Sequence, residues 1–222
     1  MKPHSTPPHE AQPTVVVIDD DRDIREALQG LLRSVGLCVE LFASVQEFLD
    51  SGDLTRPGCV VLDVRLPGRS GLDFHDDLVK ANVHLPVVFI SGHADVQMSV
   101  RAMKAGAIEF LTKPVRHQDL LDAIQRAIVH DDAYRAEQRT IGAIRTNFDK
   151  LTPREREVMT LVAAGRLNKQ IAAEIGITEA TVKLHRGQVM RKMHVRSLVE
   201  LVRMADKLQL SDPELRPPST KV

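Results

Sequence analysis

The chain has 222 residues, 43% of them hydrophobic and 27% charged, a globular mix too rich in apolar side chains for a disordered chain. No apolar run approaches the ~20 residues needed to cross a bilayer, and the opening MKPHSTPPHEAQP has no apolar stretch of the signal-peptide kind. A cytoplasmic protein with no membrane partner is therefore expected. Basic and acidic residues cancel over the whole chain, at 30 each, but not locally. Residues 1–149 carry 16 basic and 22 acidic side chains, and residues 150–207 carry 12 and 6. An acidic front joined to a basic back predicts two domains with different partners, nucleic acid being the natural one for the basic part.

Residues 1–13 are polar and read as a flexible tail. From residue 14 short apolar runs alternate with longer amphipathic ones. The strand-like runs are Val15–Ile18, Cys38–Phe42, Cys59–Leu62, Pro86–Ile90 and Ile108–Leu111. Helical patterns lie between and after them, at about 22–34, 44–51, 72–80, 95–105 and 117–129. In the first, Ile24, Leu28, Leu31 and Leu32 recur at helical spacing. Five βα units in so short a length predict a parallel sheet covered by helices on both faces. Cys38 and Cys59 lie in strand-like runs without CxxC spacing, so buried thiols are expected rather than a disulfide or metal ligands.

The first run, TVVVIDDD, drives four branched apolar residues into three acids. A strand end and helix capping account for one Asp or two, with Asp21 the N-cap ahead of the helix ending at Ser34. They give no reason for three. In an open α/β sheet the site lies at the carboxyl ends of the strands. That rule gathers Asp19 and Asp20, Asp63 after CVVL, Ser91 after PVVFI, and Lys113 with Pro114 after EFLT. Each has a plainer reading: Asp63 capping a turn before Pro67, Ser91 capping a helix, Lys113 on the surface. Their meeting on one edge has none. Three carboxylates in one crevice call for a hard cation, and Mg²⁺ fits. A carboxylate beside Mg²⁺ can attack a phosphoryl group and become an acyl phosphate, with a lysine neutralising the transferring oxygens. Asp63 is the expected nucleophile because its strand is central. Asp19 and Asp20 are the expected metal-holding pair, Asp20 more directly, with the Arg65 backbone carbonyl as a further ligand.

VVVIDDD, VLDVRLPGRSGLD, FISGHAD and FLTKP, in that order, resemble the receiver domain of bacterial two-component response regulators over residues 14–130. The resemblance implies a flavodoxin-like, doubly wound (βα)5 fold with Mg²⁺ as cofactor. It also implies roles: Asp63 as phosphoacceptor, Ser91 as switch hydroxyl, Lys113 as the family's lysine, and a cis Lys113–Pro114 peptide. Phe110 matches an aromatic that changes rotamer on activation, although an ordinary core Phe explains it too. The fourth helix, fifth strand and fifth helix match the family's dimerisation face.

Residues 131–149 are polar with sparse apolar spacing and read as a linker, either a helical extension or a flexible joint. Residues 150–208 then predict an all-α, four-helix domain. Thr152, Pro153 and Glu155 form a capping box with Pro at the first helical position. That helix buries Val158, Leu161 and Val162 and stops near Gly165. Lys169–Ile175 is a short helix, Gly176 turns, a basic helix runs from Glu179 to about Met193, and a fourth from Ser197 to about Leu208. Short helix, tight turn and longer basic helix is the helix-turn-helix arrangement; a plain bundle with a solvated basic face is the other reading. LTPREREV, GRLNKQIA and TEATVKLH closely resemble the DNA-binding domain of NarL/FixJ (LuxR-type) regulators. The resemblance implies DNA contacts from Thr181, Lys183, Leu184, His185 and Gly187. Gly187 departs from members with lysine there, which puts readout at that base step in doubt. Leu184 can meet only a thymine methyl. Lys169, Arg186, Arg191 and Lys192 suit phosphates, and Thr178 caps a helix whose N-terminus can meet phosphate as well. Residues 209–222 read as a second flexible tail.

Together the halves predict a phosphorylation-activated transcription regulator, not an enzyme. Its expected partners are a sensor histidine kinase, a second copy of itself, a two-fold symmetric promoter duplex and RNA polymerase, and activation is its expected sense. Two other readings stay open: a phosphorylation-independent DNA-binding protein with a silent receiver, and a Mg²⁺-dependent phosphotransferase, for which no general acid or substrate pocket is evident.

Overall fold

Strands β1 (Thr14–Ile18), β2 (Cys38–Phe42), β3 (Gly58–Asp63), β4 (Val87–Ser91) and β5 (Glu109–Thr112) pair in parallel, in the order β2-β1-β3-β4-β5. The computed structural model describes residues 12–51, 56–92 and 95–210. Most of both expected tails, and residues 93 and 94, lie outside these. β3 and β4 are buried along their whole length, whereas β2 and β5 at the edges are partly exposed. This is why GCVVLD and VVFIS are continuously apolar up to their last residue: a central strand of a parallel sheet has no solvent face.

Helices α1 (Arg22–Ser34), α2 (Val45–Ser51), α3 (Gly71–Lys80) and α4 (Val96–Lys104) connect the strands, and α5 (His117–Asp149) follows the last. Side chains alternate across the sheet. Val15, Val17, Cys59, Val61, Val88 and Ile90 pack with Leu32 of α1 and with Leu120, Ala123, Ile124 and Ala127 of α5. Ile18, Val60, Leu62, Val87 and Phe89 pack with Phe48 of α2, Leu72, Phe74 and Leu78 of α3 and Ala102 of α4. Val60, Val61 and Leu62 are fully buried, each contributing roughly 2 kcal/mol of apolar burial. At the start of β3, Gly58 has φ +139°, and a Cβ there would sit 2.0 Å from the Thr14 carbonyl oxygen, so only glycine lets β1 pair this closely.

The chain divides inside α5 into two units, up to Arg135 and from Ala136. Residues 131–149 thus lie within a helix. No proline interrupts residues 115–152, and Ile144 and Phe148, four apart, are buried in the second unit's core. That core is completed by α6 (Pro153–Ala163), α7 (Asn168–Ile175), α8 (Glu179–Lys192) and α9 (Leu198–Lys207). Val158, Met159, Ile171, Val182, Val189 and Met193 are fully buried in it. The Thr152–Glu155 capping box starts α6, and Gly176, left-handed at φ 69°, makes the turn between α7 and α8.

One expectation fails. Cys38 is exposed and its thiol donates to Gln12 Oε1 at 3.4 Å. It begins an edge strand, where an apolar run no longer implies burial. Cys59 is buried, and burial followed by the nearby Asp131 charge pushes its thiol up to about 12. No helix among the described residues is long and apolar enough to cross a membrane.

Candidate functional site

The chain leaves β1 toward β2 on one side, while β3, β4 and β5 extend on the other. A crevice opens at the carboxyl ends where the order reverses. Ile18 pairs with Leu62, so Asp19 and Asp63 lie side by side just beyond that pair. Ser91 pairs with Thr112, and the Lys113 N–H donates to the Ser91 carbonyl at 2.8 Å. Lys113 thereby enters the crevice from the neighbouring strand. Its Nζ donates to Asp19 Oδ2 at 2.7 Å and to Asp63 Oδ2 at 2.5 Å. The Lys113–Pro114 peptide is cis.

Asp19, Asp63 and Ser91 are buried and Asp20 is exposed. The other oxygens are engaged locally: Asp21 N–H donates to Asp19 Oδ1 and Arg65 N–H to Asp63 Oδ1, both at 2.9 Å. Burial pushes the Asp19 carboxyl up, against the Lys113 ammonium and the Asp21 N–H, which pull it down. Burial alone would lower Lys113, but its hydrogen bonds to Asp19 and Asp63 outweigh this and raise it. Lys113 is thus held as a cation between two carboxylates. Asp21 caps α1, accepting from the N–H groups of Asp23 and Ile24.

Asp19, Asp20 and Asp63 offer carboxylate oxygens all within 4.8 Å of one another. An all-oxygen donor set carrying more negative charge than one lysine balances suits a hard divalent cation of the Mg²⁺ kind. Arg65 is exposed. Phe110 is half-buried on β5, its ring centroid 6.1 Å from that of Phe89.

Two contacts at this pocket had no sequence signal of their own, although Gly71 lies within the run VLDVRLPGRSGLD. A Cβ at Gly71, the first residue of α3, would lie 2.2 Å from the Asp63 carbonyl oxygen, so α3 presses directly on the end of β3. Arg25 Nη1 donates to the Asp19 carbonyl oxygen at 2.6 Å. A glycine opening a helix and an arginine on an amphipathic one are both commonplace in sequence; only their neighbours single them out.

In the second unit α7, the Gly176 turn and α8 form the helix-turn-helix. Thr178 caps α8, its hydroxyl accepting from the Thr181 N–H at 3.2 Å. Val182, Val189 and Met193 anchor one face in the core. Lys183, Leu184, Gly187 and Arg191 fall on the opposite face by helical period and are all exposed, Leu184 at 61%. Thr181, His185 and Arg186 are half-buried at its margins, and Lys169 is exposed on α7. Arg186 Nη1 donates to Asn168 Oδ1 at 2.6 Å. Lys192 does not join this face. Its Nζ donates to Glu155 Oε2 at 2.6 Å, inside the unit. Burial works against the Glu155 charge, but Lys192 and Thr152 outweigh it and lower its carboxyl.

The family model for the response regulator receiver domain matches residues 15–125, and that for bacterial regulatory proteins of the luxR family matches residues 149–205. The chain is a response regulator of the NarL/FixJ type. Among its relatives, Nodulation protein W of Bradyrhizobium diazoefficiens is 51% identical over 197 residues, 89% of this chain and 87% of that one. The transcriptional regulatory protein FixJ of Rhizobium meliloti is 39% identical over 192 residues, 86% and 94% of the two chains. Among solved structures, the response regulator StyR superposes with a TM-score of 0.76 at 47% identity, covering 89% of this chain and all of that one. Full-length FixJ from B. japonicum gives 0.54 at 38% identity, over 91% and 100%.

This response regulator is accordingly a phosphorylation-regulated, DNA-binding transcription factor rather than an enzyme. It is served by a histidine kinase and acts through dimerisation. Asp19, Asp20 and Asp63 form the family's Mg²⁺ pocket.

Proposed function

We propose that Asp63 is the phosphoacceptor. A carboxylate oxygen of Asp63 attacks the phosphorus of the kinase's phosphohistidine; the new O–P bond makes an acyl phosphate as the P–N bond to imidazole breaks. The observation that carries this reading is the Lys113 ammonium bridging Asp19 and Asp63 at the buried strand ends. It stands where charge on the transferring oxygens needs a counter-charge. Asp19, Asp20 and Asp63, with the Arg65 carbonyl, hold Mg²⁺, which when bound supplies further neutralisation of those oxygens. Ser91, at the end of β4, bonds the new phosphoryl group, and Phe110 moves with it. That shift favours a dimer through α4, β5 and the first turns of α5.

The dimer brings two copies of α8 onto a two-fold symmetric promoter site, which raises the affinity of two weak readers. Lys183, Leu184 and His185 meet base edges, with Thr181 and Gly187 beside them. Lys169, Arg186, Arg191 and the capped N-terminus of α8 at Thr178 meet phosphates. Lys192, bound to Glu155, gives its charge to the unit before it gives it to DNA. The regulator activates transcription by engaging RNA polymerase. The domains run from 14 to 130 and from 150 to 208, joined by 131–149.

The test is selection of bound fragments from a random duplex pool at fixed salt, with and without beryllofluoride and Mg²⁺. A symmetric motif enriched only with the mimic is expected. Equal enrichment without it would overturn phosphorylation control. A transcription assay on the selected site, with purified polymerase, then checks activation.

A further inference from the structure

Asp20 is the exposed member of the acidic trio, and among the described residues its carboxylate has no hydrogen-bonding partner. The backbone that carries it therefore sets where its Cα–Cβ bond starts and the region its carboxylate can reach. That backbone is the turn from Asp19 to Asp21. Its Asp21 end is fixed by α1, with the Arg25 N–H donating to the Asp21 carbonyl at 3.1 Å and the Asp23 and Ile24 N–H groups to its carboxylate, and four contacts hold its Asp19 end. Asp19 N–H donates to the Phe42 carbonyl at 3.2 Å as the β1–β2 ladder ends. Asp21 N–H donates to Asp19 Oδ1, and Lys113 Nζ to Asp19 Oδ2. The fourth is Arg25 Nη1 on the Asp19 carbonyl oxygen, at 2.6 Å.

The fourth differs in kind. The Asp19 carbonyl belongs to the planar peptide that joins Asp19 to Asp20. Fixing that oxygen fixes the plane, and with it the direction in which the Asp20 Cα leaves. Neither side-chain oxygen of Asp19 does this. Lys113 is shared with Asp63, so its hold on Asp19 changes with whatever happens at Asp63. Arg25 comes from α1, outside the pocket, and its guanidinium reaches the Asp19 carbonyl. A charge-assisted bond from a planar guanidinium is short and directional.

We propose that Arg25 is a positioning residue for the Mg²⁺ site: its guanidinium holds the Asp19–Asp20 peptide so that the Asp20 carboxylate stays among the metal-binding oxygens. This rests on the reading of Asp19, Asp20 and Asp63 as the Mg²⁺ ligands. It assigns Arg25 no contact with the metal or the phosphoryl group. Its loss therefore weakens Mg²⁺ binding and leaves the chemical step intact once Mg²⁺ saturates.

The experiment is a calorimetric Mg²⁺ titration of the full chain and of four variants: Arg25→Met, which keeps the packed stem, Arg25→Lys, Arg22→Ala and Asp20→Asn. Arg22 lies on the same helix and pairs with Glu26 in solvent, so its removal takes a charge from the same region without touching the turn. The dissociation constant is expected to rise about tenfold in Arg25→Met, as for other outer-shell supports of metal ligands. Arg25→Lys should fall between Met and wild type, Arg22→Ala should match wild type, and Asp20→Asn should lose most. Phosphorylation of Asp63 by a small acyl phosphate at saturating Mg²⁺ should run at the wild-type rate in Arg25→Met. An unchanged constant in Arg25→Met alongside a weakened Asp20→Asn would overturn the role of Arg25 alone. So would an equal loss in Arg22→Ala, which would mean a general field effect. A lower unfolding midpoint without Mg²⁺ and an unchanged constant would reduce Arg25 to a structural residue and overturn the proposal. Unchanged binding in Asp20→Asn would overturn the metal-site reading and this proposal with it.

Discussion

The acidic pocket and the exposed face of α8 both present charge, but in opposite ways. The pocket draws Asp19, Asp63, Ser91 and Lys113 from four different strand ends and buries the first three, leaving one exposed carboxylate. The α8 face draws Lys183, Leu184, Gly187 and Arg191 from one helix and leaves all four in solvent. In the pocket, desolvation makes every partner matter, and the buried Asp19 and Asp63 carboxylates share the Lys113 ammonium. On the α8 face the charges stay solvated and are cheap to keep. One region is built for chemistry at a point, the other for recognition along a line.

That contrast can be tested most sharply at Asp63. Asp63→Asn should abolish phosphoryl incorporation from an acyl phosphate, a loss of two orders of magnitude or more for removal of a nucleophile. Stable labelling of the variant would show a different acceptor. Gly71→Ala comes next. The added Cβ meets backbone at 2.2 Å, so unfolding free energy should fall by about 2–3 kcal/mol, the cost of overpacking. Urea denaturation measures this, and an unchanged midpoint would mean that α3 yields freely. The pair Lys183→Ala and Lys192→Ala separates the two kinds of charge. The first should cost about 1–3 kcal/mol of operator binding and relax the sequence preference at the base step it meets, with little change in salt slope. The second should lower unfolding free energy by about 1–2 kcal/mol by leaving Glu155 short of a partner, and leave operator binding and its base preference nearly unchanged. A reversed pattern would place Lys192 on the DNA instead.

The smallest expected effect is on pH dependence, and it belongs to the first unit. His75 is buried against the Phe89 ring, and burial holds its pKa below the ordinary range. His84 lies stacked against the rings of His130 and Tyr134, with Nε2 3.6 Å from Asp131 Oδ1. Burial lowers His84, and Asp131 pulls it upward without cancelling the effect. Both folded-state values lie below the unfolded one, near 6.5. The unfolded chain therefore binds more protons in that window, so stability is fully present above about pH 6.5 and falls as pH drops below it. Unfolding measured from pH 7.5 to 5.0 should show this slope, and a His75→Gln, His84→Gln double variant should flatten it.

Much of this was legible in the sequence because it depends on short-range pattern. Continuous apolar runs mark buried parallel strands, and Thr152-Pro153-x-Glu155 marks a helix start, because both signals are set by neighbours a few residues away. The carboxyl-end rule alone brought Asp19, Asp63 and Lys113 to one edge, since strand ends of a parallel sheet all face one side. Helical period likewise put Lys183, Leu184, Gly187 and Arg191 on one face. What only the tertiary structure decided is which groups touch. Arg25 finds the Asp19 carbonyl, α3 presses on Asp63 at Gly71, Lys192 turns to Glu155, and Cys38 stands in solvent at a sheet edge. These outcomes hang on helix placement against a sheet or a neighbouring helix, fixed to within a few tenths of an ångström by packing. No local spacing encodes that, because the contacts form between segments that fold independently in sequence and meet only in space.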